Sequence, residues 1–348
     1  MTKVRGLSAA FDGVRFRAWI QVRAAVAFGV LALIAIPAHQ VQAGCASVIT
    51  ACGCTITDAA LHTIANNIFA SDGLTAKGDC IDIKHKGAKL DGGFFEVDGD
   101  GATGVGIRIL PGATKVAVQN FDGIFGWDIG IEDDANGATI TDFDTDDNGT
   151  AGVVLNSVEK TVLSGFDSSA STGVGLLLKS SNGNQIDAFD TSGNGADGVR
   201  LNKSERNALK VFTSSENAGN GVFLNRSTAN TIGDFTASAN GGDGVLLDKS
   251  SGNSVIDYSA SDNVADGVLL HGGSGKNKVG DASVEDNGSN GVEVAGGNKS
   301  NSVFFTTAIG NVVTDLVDGN AGCDNDVWSN NCFNTQNKAC IGTQGSRC

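Results

Sequence analysis

"NTIGDFTASANGGDGVLL" runs from Asn230 to Leu247, and from Asn253 to Leu270 the chain writes "NSVIDYSASDNVADGVLL". The two lines share both asparagines and the closing "DGVLL" at an offset of twenty-three residues, which marks an internal repeat. Extended outward, a glycine opening a short apolar stretch recurs at Gly106, Gly130, Gly152, Gly175, Gly198, Gly221, Gly244, Gly267 and Gly291, in steps of 22 to 24. Asparagine columns run Asn184, Asn207, Asn230, Asn253, Asn277, Asn301 and Asn194, Asn217, Asn240, Asn263, Asn287, Asn311. An aromatic column runs Phe121, Phe143, Phe166, Phe189, Phe212, Phe235 and Tyr258.

Within a unit, "GVRL", "GVFL" and "GVLL" alternate as short strands do, and nothing has helical length or period. So short a unit cannot bury its apolar side alone. Coiling the chain so that each unit lies ~4.8 Å above the last, strands paired in parallel, stacks every column on itself. Rings and aliphatics then pile up inside, and asparagine amides at the bends bond to their counterparts above and below. Glycine and asparagine are also expected to supply left-handed backbone at those bends. The fold class is all-β: a single, right-handed parallel β-helix of about ten coils with a ~23-residue repeat.

The lines "NGADGVRL", "NAGNGVFL" and "NGGDGVLL", the entry "CIDI" to "LDGG" at Cys80–Gly93 and the exit "CDNDVWSNNCFN" at Cys323–Asn334 resemble the right-handed parallel β-helix proteins of the pectate-lyase-like and NosD-like exported families. The resemblance covers roughly Cys80 to Cys340. It implies the fold, and a range of roles from polysaccharide lyases, hydrolases and epimerases to adhesins and accessory proteins. It also implies absences. The GHG signature of the polygalacturonase-like branch is missing, no Arg or Lys aligns with the Asp row within its own coils, and one Met and four His offer little for copper handling.

Residues 1–43 place Lys3, Arg5, Arg15, Arg17 and Arg23 before or at the start of the apolar run Ala24–Ala38, with small residues before Gly44: a secretory signal peptide. Cleavage before Cys45, as in a lipoprotein, is the variant reading. The run is shorter than the ~20 residues that span a bilayer, so the mature chain is expected to lack a transmembrane segment. The expected division continues with 44–80 as a disulfide-stapled N-terminal cap, 81–318 as β-helix and 319–348 as a Cys-rich C-terminal cap. "DAALHTIANNIF", Asp58–Phe69, is read as an amphipathic capping segment. Eight cysteines on an exported chain, Cys45, Cys52, Cys54 and Cys80 at one end and Cys323, Cys332, Cys340 and Cys348 at the other, predict disulfides at both caps. Removing 1–43 takes away five Lys/Arg and one acidic residue, moving the formal charge from −15 to −19. Such a surface excludes nucleic acid and anionic lipid as partners.

Directly after the aromatic column stand Asp122, Asp144, Asp167 and Asp190, expected to point outward as a row of carboxylates thickened by Asp142, Asp146 and Asp147. Three readings stay open: a solvated acidic face, a calcium site built from Asp142, Asp144 and Asp167, or a catalytic pair, Asp144 and Asp167, cleaving a polysaccharide. A basic column of Lys203, Arg226 and Lys249, with Ser181, Ser204, Ser227 and Ser250 beside it, would suit the carboxylates of an extended acidic polysaccharide. Glu205 and Asp248 stand ready to neutralise it. His271 aligns with Asn202, Asn225 and Asp248 and is expected on the surface without an identified partner. The expectation is a monomeric rod that binds polysaccharide without catalysis, with calcium as the one cofactor considered; the enzyme and the purely structural or adhesive element are its rivals.

Overall fold

The computed structural model describes residues 44–75 and 77–343; the segment 1–43, expected to be a signal peptide, and Cys348 lie outside the described residues. No helix among them is long and apolar enough to cross a membrane. Two parallel sheets make up the structure, one of twelve strands and one of fifteen, and the chain alternates between them once per coil. The twelve-stranded sheet counts about twelve coils rather than about ten. Nine of its strands carry the glycine column; Cys54–Ile56 and Ile81–Ile83 lie before it and Thr314–Asp318 after it. The earliest coils are longer than the repeat, pairing Cys54 with Ile81 and Ile81 with Ile107, which hid them in the sequence.

Strands of the fifteen-stranded sheet bend once. In Thr139–Asp144 the bend is Asp142, at φ 56°, and the ladder skips it: Thr141 pairs with Ser164 and Phe143 with Phe166. Gly165, Ala188, Val211, Asp234, Asp257, Asp281 and Phe305 take the same left-handed conformation at the same position in later coils. A second bend, after the twelve-stranded sheet, is left-handed at Lys203, Arg226 and Lys249. Bends are therefore made chiefly by residues other than the repeat glycines and asparagines, contrary to expectation. None of the glycines from Gly130 to Gly291 in the column has positive φ. Their role is space: a Cβ on Gly221 would lie 2.7 Å from the Gly244 carbonyl oxygen and 2.8 Å from Asn240 Nδ2.

The interior is a set of one-residue-wide stacks. Phe143, Phe166, Phe189, Phe212, Phe235 and Tyr258 stack nearly parallel with centroids 4.5 to 5.1 Å apart. Leu155, Leu178, Leu201, Leu224, Leu247 and Leu270 form a second, fully buried stack. Both asparagine columns are buried and hydrogen-bonded coil to coil; Asn207 Nδ2 donates to Asn230 Oδ1 at 3.0 Å and Asn230 Nδ2 to Asn253 Oδ1 at 3.0 Å. The serine column has the same purpose: the Ser204 amide donates to Ser227 Oγ at 3.1 Å.

Asp58–Phe69 is not a separate amphipathic cap. Its residues Leu61–Ile64 and Ile68–Phe69 are strands paired to Lys89–Asp98, because His62 and Ile64 turn inward on a period of two. Disulfides join Cys45 to Cys54, Cys52 to Cys80 and Cys323 to Cys340, and Cys332 is also disulfide-bonded. Cys45 is thereby spent within the fold, which removes the thiol a lipoprotein would need.

Candidate functional site

The aromatic stack fixes what lies outside it. Each ring points inward, so the next residue points out, and Asp144, Asp167 and Asp190 are register partners on adjacent coils. They are half-buried, while Asp122 is exposed at the lower end, where the ladder between Lys89–Asp98 and Ala117–Phe125 shifts register. Asp146 joins them and accepts from the Ser169 amide and hydroxyl at 3.1 and 2.9 Å. Burial pushes the Asp167 carboxyl up to about 6, with Asp146, Asp190 and Asp144 adding to the rise against a Ser169 hydrogen bond. Asp144 is raised by burial and then by Asp146. The Oδ1 atoms of Asp167 and Asp190 are buried without a hydrogen-bond partner.

Asp142 stands apart from this row. It occupies the bend on the other side of Phe143 and leans over Gly165, where a Cβ would meet its Oδ1 at 3.0 Å. Among the described residues, the trio of His, Cys, Asp or Glu ligand atoms all within 4.8 Å of one another is Asp318, Cys323 and Cys340, and the two sulfurs there are bonded to each other. Asp142, Asp144 and Asp167 would have to draw together to chelate one ion.

The bend column that contains Asp142 regains carboxylates higher up, and sequence reasoning missed them. Asp234, Asp257 and Asp281 are exposed there, one per coil. With Val211, Thr213 and Thr236 they line an open groove of about 610 Å³ that crosses the coils from Phe189 to Asp281. The available signal was their position one residue before Phe235, Tyr258 and Ala282, as Asp142 precedes Phe143.

Lys203, Arg226 and Lys249 stand exposed at the other bend, and they do not line the groove. Lys249 Nζ lies 3.5 Å from Asp248, and His271 Nδ1 lies 3.2 Å from Asp248 Oδ1. His271 therefore has a partner, supplied by the coil below.

Buried carboxylates leave a pH signature. Asp133 is fully buried in the column between Ile109 and Leu155, accepts from the Ala135 amide and Thr161 hydroxyl at 3.0 and 2.8 Å, and burial pushes it up to about 6. Asp167 and Asp243 are pushed to the same value. A folded carboxyl pKa above its unfolded value means the native state binds more protons between the two, so stability falls as pH rises through that interval. Urea midpoints are expected to drop between about pH 4 and pH 6 and to level off above. Asp133 alone contributes about 3 kcal/mol to that slope for a rise of about two units. In Asp133→Asn, which keeps an acceptor for Ala135, the slope should flatten; an unchanged slope would remove Asp133 as its source.

Together, the stacked coils, inward rings and outward rows define a parallel β-solenoid that presents repeated side chains along its axis. Residues 127–304, more than half the chain, match the right-handed beta helix region family, and the protein belongs to that family. No curated relative matches the sequence. Among solved structures, the fold is similar to the periplasmic alginate epimerase AlgG, at 14% identity and a TM-score of 0.56 over 84% of this chain and 78% of that one. It is also similar to the A-module of the Azotobacter vinelandii mannuronan C-5 epimerase AlgE4, at 15% identity and a TM-score of 0.54 over 74% of this chain and 72% of that one.

Proposed function

We propose that the protein is an exported, non-catalytic polysaccharide-binding rod whose ligand lies along the axis in the groove from Phe189 to Asp281. The carrying observation is the lining, which repeats once per coil: Asp234, Asp257 and Asp281 on one side, Thr213 and Thr236 on the other. Strands ~4.8 Å apart give a pitch close to the length of one pyranose residue, so an extended chain meets the same donors and acceptors at each step. Carboxylates at that pitch accept hydroxyl hydrogen bonds from a neutral or amino-sugar polymer and repel a bare polyuronate. Alginate epimerases share the fold, which supports a saccharide ligand without naming it. The disulfides suit an oxidising, exported address.

Binding should be measured by affinity electrophoresis against neutral, cationic and polyuronate polymers. Asp234→Asn/Asp257→Asn is expected to weaken binding of the neutral polymer about tenfold, since charge-assisted bonds contribute about 1.5–3 kcal/mol each before the amide restores part of that. Retention of any polyuronate should rise in the same variant. Absence of retardation by every polymer would overturn the proposal.

The rival enzyme has one observation in its favour, the raised Asp167 beside Asp144 in the next coil, an arrangement suited to a general acid. It requires release of reducing ends or unsaturated products, or a change in sugar configuration along the polymer, abolished in Asp167→Asn.

A further inference from the structure

We propose that Asp266, Asn290 and Glu293 hold a hard divalent cation of the calcium type where strands of the twelve-stranded sheet begin, away from both the Asp row and the groove. Asn290 sits between the two carboxylates: its amide N–H donates to Asp266 Oδ1 at 2.7 Å, and its Nδ2 donates to Glu293 Oε2 at 2.7 Å. Its own Oδ1 is buried with no hydrogen-bond partner, and the residue is only 8% exposed. An acceptor oxygen buried without a donor is costly, and turning the amide over makes a worse conflict, since Oδ1 would then face Glu293. A cation removes the conflict, because it takes oxygen ligands from carboxylates and amides alike and leaves its remaining positions to water.

Comparison within the same columns sharpens the case. Asp197, Asn220, Asp243, Asp266 and Asn290 form one ladder, in which the Asp266 amide donates to Asp243 Oδ1 at 2.9 Å. At its lower end Asp197 is met by Arg200, at 3.6 Å. Glu293 holds Arg200's outward column at the upper end, so the cation that answers the ladder below is replaced by an anion above. Asp243 and Asp266 are both more than nine-tenths buried. His271, the basic group that acts on Asp243 and Glu293, is exposed and shared with Asp248.

The test is calorimetric titration of the mature protein with calcium chloride at neutral pH, paired with thermal melts in EDTA and in calcium. Wild type should bind one equivalent and melt higher with calcium. Both effects should vanish in Glu293→Gln and Asn290→Ala and persist in Asp144→Asn/Asp167→Asn. In EDTA, Glu293→Gln should melt no lower than wild type, because it removes an unbalanced carboxylate. No heat and no melting shift in wild type would overturn the site, as would calcium binding that survives Glu293→Gln or disappears only in Asp144→Asn/Asp167→Asn. A Glu293→Gln protein that melts lower than wild type in EDTA would also overturn it, by making Glu293 a structural acceptor.

Discussion

Asn230→Ala is expected to destabilise the solenoid by about 3–5 kcal/mol, more than any surface substitution. Four hydrogen bonds vanish with the amide: Asn230 Nδ2 to the Ser204 carbonyl and to Asn253 Oδ1, and the Asn207 amide and Nδ2 to Asn230 Oδ1, all at 3.0 Å. Their consequences differ. Ser204's carbonyl keeps the Thr228 amide, Asn253 Oδ1 keeps the backbone N–H of residue 230, and Asn207 Nδ2 keeps the Ser181 carbonyl. The Asn207 backbone N–H loses its acceptor and is left buried, and the vacated volume adds a cavity. Asn230→Asp separates donor from acceptor loss: it still serves Asn207 but turns a second carboxylate oxygen on the Ser204 carbonyl and Asn253 Oδ1. It should be as damaging as alanine near neutrality and recover in acid as the carboxyl protonates. Chemical denaturation at two pH values reads both; an alanine variant within 1 kcal/mol of wild type would mean that water or relaxation replaces the ladder. Position matters too. In a quasi-one-dimensional stack each coil is held by its neighbours, so a break at Asn230 uncouples two halves, whereas the same change at Asn301 loosens only the last coils.

Much of this was legible because stacking writes itself into sequence. Phe143, Phe166 and Phe189 are register partners because they sit one repeat apart, and the spacing of 23 reveals the pairing without coordinates. The outward Asp144, Asp167 and Asp190 follow by alternation. What escaped was anything carried by dihedral angle or by mixed columns. The bend position holds Asp142, Gly165, Ala188, Val211, Asp234 and Phe305 in different coils, since an exposed left-handed residue is constrained in φ and hardly at all in chemistry. No compositional column appears, and the groove carboxylates were lost in it. Asp197, Asn220, Asp243, Asp266 and Asn290 mix acid and amide, which serve equally as acceptors for the next coil's N–H, and in sequence they pass for turn residues before a glycine. His271 was aligned with Asp248, yet alignment one repeat apart is contact in a solenoid, and that step supplies the partner.

Phe212→Ala should cost about 3–5 kcal/mol, and the location of the loss distinguishes this core from a globular one. Phe212 is held between Phe189, with centroids 4.5 Å apart, and Phe235, at 4.8 Å, so truncation exposes a ring face on each side and opens a gap one ring thick. Lateral collapse is hindered, because each coil is tied to the next by two parallel ladders and two asparagine columns that fix the rise per coil. Leucine should recover part of the loss through volume but not the ring contacts, and tyrosine should be tolerated worse than its size suggests. The one tyrosine in the column, Tyr258, already has a buried hydroxyl without a hydrogen-bond partner and meets Ala282 rather than a ring above it. A hydroxyl at 212 would meet Phe235 instead. If Phe212→Ala melts within a few degrees of wild type while Leu201→Ala does not, the aromatic stack is dispensable filling and the aliphatic columns hold the solenoid. The opposite order would make the rings its spine, and would explain why the outward neighbours of that stack, Asp144, Asp167, Thr213 and Thr236, keep the even pitch on which any axial ligand depends.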